Sequence, residues 1–237
     1  MARRNRKKRD RLIFRKLVKI CITLTILLVF LTLVQVVILS YFAPPFTVRM
    51  AWNYISQVIK SERHHPPVFI WRPLEKISPH LQRAVLAGED QRFLDHHGFD
   101  MVEIRQALQE FFLEQKFRGA STISMQTART IYLLPERGII RKILEAYYTL
   151  LIELIWNKRR ILEIYLNTVD WGSGIMGAEA ASMRYFHKHS DQLTPQQAAL
   201  LAAILTNPHR FSPVKSDIYV KIRAKRILAE MHRMPLL

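Results

Sequence analysis

The ten residues EDQRFLDHHG, Glu89 to Gly98, put two adjacent carboxylates, an aromatic ring and two histidines just beyond an apolar segment. Neighbouring carboxylates resist ionising together, and apolar walls raise a carboxyl pKa further. Glu89 therefore has the makings of a general base working near neutral pH. On this reading Asp90 supplies the like charge and Phe93 part of the desolvation. The same string also reads as a polar turn closing a helix, which is what an isolated Glu-Asp pair ordinarily is. His96 and His97 invite a metal reading, but adjacent histidines rarely face one site. A structural hydrogen bond from His96 is expected, and no metal site is assigned.

A base is useful only if the chain holds it beside a substrate. Ser78-Pro79 reads as an N-cap followed by a first-turn proline, opening a helix through about Gly88 that delivers Glu89 at its end. Asp100 with Glu103 resembles a capping box for a helix through about Gln115. After a short basic loop, Lys116 to Ala120, Ser121 is expected to cap a third helix. Ile139 to Trp156 is apolar at helical spacing and predicts a long core helix. Asn157 restarts the chain into a helix over Lys158 to Leu166, and Trp171-Gly172-Ser173-Gly174 is a loop. Helices follow near Ile175 to Phe186, Pro195 to Leu205 (capped by Thr194) and Ser216 to Met234. The Tyr147–Tyr148 and Phe111–Phe112 pairs are expected in core or membrane-facing packing. The fold class is mainly α.

Charge and hydropathy divide the 237 residues. Residues 1–19 hold ten Lys and Arg against Asp10 alone, a local excess of +9 out of +17, leaving +8 for the rest. Residues 20–43 carry no charge. At helical rise they extend about 36 Å, enough to cross a hydrocarbon core of about 30 Å. A signal peptide would have a shorter apolar region ending in small residues. Here the run ends in Tyr41-Phe42-Ala43-Pro44-Pro45, an interfacial belt and a helix stop. The expected plan is a basic cytoplasmic tail (1–19), a transmembrane helix (20–43), a stalk and lead-in segment (44–78) and a catalytic domain (79–237). The positive-inside rule keeps the tail in the cytoplasm and puts the domain on the outer face. Nucleic acid is thereby excluded as a partner, and lipid headgroups and phosphate-bearing lipids become the acidic partners at hand. The single cysteine, Cys21, lies in the apolar run, so no intrachain disulfide and no cysteine zinc site is possible.

Three more segments join EDQRFLDHHG in register: RGASTISMQTAR (Arg118 to Arg129), RKILE (Arg141 to Glu145) and KRRILEIYLN (Lys158 to Asn167). They resemble the EDxxFxxHxG, GGSTITQQ, RKxxE and KxxILExYLN motifs of the peptidoglycan glycosyltransferases (glycosyltransferase family 51). YFHK at Tyr185 to Lys188 and the stretch Leu193 to Pro213 extend the likeness. It covers roughly residues 65–233 with no transpeptidase domain following. The chain therefore looks most like the monofunctional biosynthetic peptidoglycan transglycosylases. The resemblance implies a lysozyme-like helical domain plus a smaller lobe near the membrane. It implies polymerisation of lipid II into glycan strands, inverting at the donor anomeric carbon and releasing undecaprenyl pyrophosphate. By that likeness Glu89 is the base and Glu145 a second catalytic carboxylate that assists the leaving group. The substrate-binding set is Asp90, Phe93, His96, Ser121, Thr122, Gln126, Arg129, Arg137, Arg141 and Lys142. Arginine suits pyrophosphate because its planar fork pairs with two oxygens, and a helix start favours anions. No cofactor is obligatory, and a Mg²⁺ or Mn²⁺ would ride on the pyrophosphate. The implied partners are lipid II, the growing strand and the membrane, with other cell-wall synthesis or division proteins open; the implied location is the bacterial inner membrane, single-pass, with the domain on the periplasmic face.

The chain departs from the family pattern at Ala120, Met125, Arg129, Thr130 and Gln106, and none of these changes removes a glutamate. Two other readings keep the same residues. A glycan-cleaving enzyme of similar fold would use a glutamate but would not need the phosphate-binding set and the anchor. A non-catalytic cell-wall scaffold would not need both glutamates. Glu145 could also be a surface glutamate paired with Arg141 at i, i+4.

Overall fold

The computed structural model describes residues 2–59, 68–115, 119–136, 138–172, 174–215 and 217–237. It forms two units, Met1–Phe42 and Ala43–Leu237. The first is one helix, α1 (Ala2–Tyr41), which runs through both the basic residues and the apolar run. Its stretch Phe14–Tyr41 is long and apolar enough to cross a membrane, with a mean hydropathy of 2.8.

Among the described residues, the regular structure of the second unit is helical apart from one short pair of strands. Its elements are α2 (Val48–Ile59), β1 (Val68–Phe69), α3 (Pro79–Glu89), α4 (Met101–Glu114), α5 (Ile123–Tyr132), α6 (Ile139–Ile155), α7 (Lys158–Thr168), β2 (Ile175–Met176), α8 (Ala178–Phe186), α9 (Pro195–Ile204) and α10 (Ile218–Glu230). Short 3-10 turns lie at Leu74–Lys76, Ser190–Gln192 and Met231–Arg233. The strands pair in parallel, Val68 opposite Ile175 and Phe69 opposite Met176.

Two helix groups make the core. In one, α3 packs on α9 and both meet α10, through Leu81, Val85, Leu86, Leu201, Ile204 and Ile227. In the other, α5 packs between α6 and α7 through Ile123, Ile131, Ile152, Ile161 and Tyr165. The caps explain the helix starts. Ser78 accepts from His80 N–H ahead of Pro79, Asp100 from Val102 and Glu103, Asn157 from Arg160, and Thr194 forms a reciprocal box with Gln197.

Several expectations need correction. The cap of α5 is Thr122, whose hydroxyl accepts from Met125 N–H, and Ser121 stands one residue outside. Ile175 and Met176 form β2, because their backbones pair with Val68 and Phe69, and the helix starts only at Ala178. α10 is capped by Asp217; Ser216 lies outside the described residues. Residues 68–78 are built into the domain and are no stalk. Beyond the strand pair, Asn167 accepts from the Arg72 N–H at 2.8 Å and donates to its carbonyl at 2.8 Å.

The largest correction concerns α6. Its buried side chains are Glu145, Thr149 and Ile152, while Ile139 (76 % exposed), Ile143 and Leu154 (80 %) point away from the protein. The 3.6-residue period identifies an apolar face, but not the medium that face meets. α4 behaves alike: it buries no side chain and presents Val102, Leu108, Phe112 and Leu113 outward.

Arg72 also anchors a buried carboxylate. Glu179, 1 % exposed, accepts from Arg72 Nη2 at 2.7 Å and from the Ser190 N–H and hydroxyl at 2.9 and 2.6 Å, with His189 Nδ1 at 2.6 Å. Burial alone would raise this carboxyl, but Arg72, His189 and Ser190 together lower it to about 2. The network's stabilisation is therefore complete above the ordinary value near 4.5 and is lost as pH falls toward about 2. Arg72→Met is expected to cost roughly 3 kcal/mol at neutral pH. Thermal unfolding in detergent should show that deficit narrowing as the pH drops below 4.5.

Gly98 is the one residue of the Glu89 segment whose backbone requires glycine. Its φ is +92°, and a Cβ there would lie 2.7 Å from Thr149 Cγ2 on α6, one turn from Glu145. Gly98→Ala should destabilise by about 2–4 kcal/mol, from left-handed strain and overpacking together. Its melting temperature against wild type checks this.

Candidate active site

α3 ends at Glu89 because Asp90, with φ −163° and ψ 78°, breaks the helix. The Glu89 side chain is 12 % exposed and each oxygen has one donor. Gln126 Nε2 of α5 reaches Oε2 at 3.0 Å, and Arg223 Nη2 of α10 reaches Oε1 at 3.2 Å. The same Arg223 nitrogen donates to the Gly88 carbonyl at 2.8 Å, which fixes the guanidinium against the end of α3. Gln126 is oriented in turn, since its Oε1 accepts from the Tyr165 hydroxyl at 3.4 Å. Burial raises the Glu89 pKa, and Gln126, Arg223 and Arg129 pull it back only in part. The group is thus a carboxyl moved toward neutrality but still able to ionise.

Burial causes this shift, and the like charge of Asp90 does not. Asp90 is turned away into its own buried cluster. Its oxygens lie 3.0 and 3.1 Å from His96 Nε2, and Oδ2 accepts from the Ile123 N–H at 2.9 Å. His96 Nδ1 accepts from the Gly98 N–H at 3.2 Å, so its proton sits on Nε2 and is donated to Asp90. Thr122 joins by donating to the Gly98 carbonyl at 2.6 Å. Phe93 is buried edge-on to His96, with Lys158 Nζ 4.4 Å over its ring. All four belong to the expected substrate-binding set. The structural hydrogen bond expected of His96 is present, and the polar atoms of Asp90, His96 and Thr122 tie the Glu89 segment to the start of α5, with Phe93 packed beside them. Asp90, His96 and Asp100 lie close enough to hold a cation. Each already has an internal role, Asp100 as the cap of α4.

A third group sits on α6. Glu145 is fully buried, and Arg141 and Lys142 both donate to its carboxylate, Lys142 at 2.7 Å. The i, i+4 pair with Arg141 is therefore real, but it is no surface pair. Arg141 and Lys142 keep 18 % and 43 % of their side-chain surface open, so the cluster presents cations outward over a buried anion. Ser121 is half-buried beside the start of α5. Thr130 donates to the Gln126 carbonyl at 2.9 Å and so serves the helix. Arg137 lies outside the described residues.

Two site residues were not found from the sequence. Tyr165 belongs to the KRRILEIYLN segment, so its motif was visible but its role was not. Arg223 meets Glu89 from 134 residues away with no local pattern to mark it. Since Arg223 lowers the Glu89 pKa, Arg223→Lys should weaken that hold and move the acid limb of the pH–rate profile upward. Initial rates between about pH 5 and 9 would show the displacement, and an unmoved limb would contradict it.

The assembly is a helical domain with a desolvated glutamate at a helix end and a basic cluster around a second, buried glutamate. Such a pairing belongs to glycosyl chemistry on an anionic donor. Comparison with known proteins gives the same answer. The Transglycosylase family model matches residues 55–232, and the chain belongs to that family, whose domain is lysozyme-like and helical. It is 41 % identical over 217 residues to the biosynthetic peptidoglycan transglycosylase of Caulobacter vibrioides, covering 92 % of both chains. It is 43 % identical over 209 residues to that of Bdellovibrio bacteriovorus, covering 86 % of this chain and 81 % of the relative. With the Rhodospirillum centenum protein of the same description it shares 50 % over 161 residues, covering 68 % and 70 %.

Proposed function

We propose that this protein is a peptidoglycan glycosyltransferase that polymerises lipid II in bacterial cell-wall synthesis. The observation that carries the reading is Glu89, largely desolvated at the end of α3, raised in pKa and held by Gln126 and Arg223. In the reaction the acceptor 4-hydroxyl attacks the donor anomeric carbon from the face opposite the pyrophosphate. Glu89 takes the hydroxyl proton, the bond from carbon to pyrophosphate oxygen breaks, and undecaprenyl pyrophosphate leaves with inversion. The growing strand is the donor and lipid II the acceptor.

Arg141 and Lys142, with their open surface above Glu145, and Arg129 on α5 supply the positive field for the leaving group. Glu145 holds the first two in place. A divalent cation, Mg²⁺ or Mn²⁺, enters on this reading with the pyrophosphate. Asp90, His96, Thr122 and Phe93 act by positioning. The departures at Met125 and Thr130 affect fine substrate contacts or turnover.

The outward apolar faces of α4 and α6 suit a domain working on a lipid-linked substrate at a bilayer surface. α1 anchors it as a single pass in the inner membrane, with the N-terminus cytoplasmic and the domain periplasmic. Other cell-wall synthesis or division proteins are natural further partners.

The discriminating experiment offers the full-length protein labelled lipid II and, separately, finished glycan strands. The expected result is a ladder of strands from lipid II and no shortening of finished glycan. Shortened strands without polymerisation would favour a glycan-cleaving enzyme, and neither activity would favour a scaffold.

A further inference from the structure

We propose that α2 is an interfacial membrane helix, lying with its Trp52–Ile55–Ile59 face in the outer bilayer surface and seating α5 against it. The helix is amphipathic in the inverted sense. Trp52, Tyr54, Ile55, Val58 and Ile59 are exposed, whereas Met50 is buried and Asn53 and Ser56 are half-buried on the opposite side. A helix in water turns its apolar stripe to the core; this one turns it away. Arg49 is the only charged residue between Ala43 and Ile59, and it is turned in toward Asp170 at 3.5 Å. The outward face therefore carries no charge.

Its tryptophan and tyrosine are the side chains favoured where one end of a ring is apolar and the other wet. Twelve residues make about 18 Å of helix, too short to span and suited to lying in the plane. Only six residues separate the apolar stretch Phe14–Tyr41 from Val48, so the membrane is the surface this segment meets first. α2 packs on α5, the helix that presents Gln126 and Arg129. Membrane contact and the groups around Glu89 are thus joined through one helix pair.

The inference rests on α1 spanning the bilayer, and the test separates the two. Spin labels are placed on full-length protein in phospholipid vesicles at the native Cys21, and, in a Cys21→Ser background, at Ile55→Cys, Ile59→Cys and Asn53→Cys. Relaxation by oxygen and by a water-soluble nickel chelate is then compared. Labels at 55 and 59 should favour oxygen, as the Cys21 label should, while the label at 53 should be shielded from it. Nickel-accessible labels at 55 and 59, or labels immobilised and shielded from both reagents by a protein partner, would overturn the proposal. A nickel-accessible Cys21 label would instead overturn the anchor, and the proposal with it. The double variant Ile55→Glu, Ile59→Glu should lose roughly tenfold or more in polymerisation of vesicle-borne lipid II, yet keep its rate on a short-chain, water-soluble analogue. An equal loss on both substrates would contradict the seating role.

Discussion

Glu89→Gln is expected to polymerise lipid II at least about 100-fold more slowly than wild type, the scale of a lost general base, and to keep its fold. The amide is nearly isosteric and can still bond Gln126 or Arg223, but it cannot take the acceptor's proton. Stability should not suffer. The folded pKa of Glu89 is raised, so wild type loses stability as pH rises through that value. Glutamine cannot ionise and escapes this cost, so the variant should melt at or above the wild-type temperature at pH 8. Strand ladders on gels and thermal unfolding in detergent check the two halves. A variant that lost activity by unfolding would fail the second.

Glu145→Gln is the other large effect. The carboxylate is fully buried beneath Arg141 and Lys142, and without its charge the two cations lose their fixed positions. An electrostatic group preorganised for a leaving pyrophosphate contributes on the order of 100-fold or more to kcat, and a loss of that size is expected. KM for lipid II should not rise, because the freed cations still attract phosphate in the ground state. Single-variant kinetics decide it, for a raised KM with kcat intact would reduce Glu145 to a ground-state binding role. Glu145→Ala removes the buried partner altogether and should also cost roughly 3 kcal/mol of stability.

The helices were legible because their ends are marked locally. Ser78-Pro79, Asp100, Asn157 and Thr194 each bond an N–H within three residues, and such signals survive without tertiary information. The alternation at Val68 and Ile70 does suggest a short extended piece, but its pairing with β2 was not legible, since two residues pairing across more than a hundred positions leave no period. The exposure of α6 was misread for a different reason: an apolar stripe looks the same whether it meets protein or lipid.

At the site, residue types were legible but partners were not. Glu89 was visible from its motif. Its desolvation comes from packing, its hydrogen bonds from α5 and α10, and the neighbour expected to perturb it, Asp90, is spent on His96 and Ile123. Sequence adjacency proved a poor guide there because a helix end sends consecutive side chains in different directions.

The most direct test of the central claim, that Glu89 is a base moved toward neutrality by burial, is the pH dependence of lipid II polymerisation by the wild-type, full-length chain. The expected rate climbs with pH through a single group lying above the ordinary carboxylate range. A rate independent of pH across that region, or a limb centred on the ordinary value near 4.5, would contradict it.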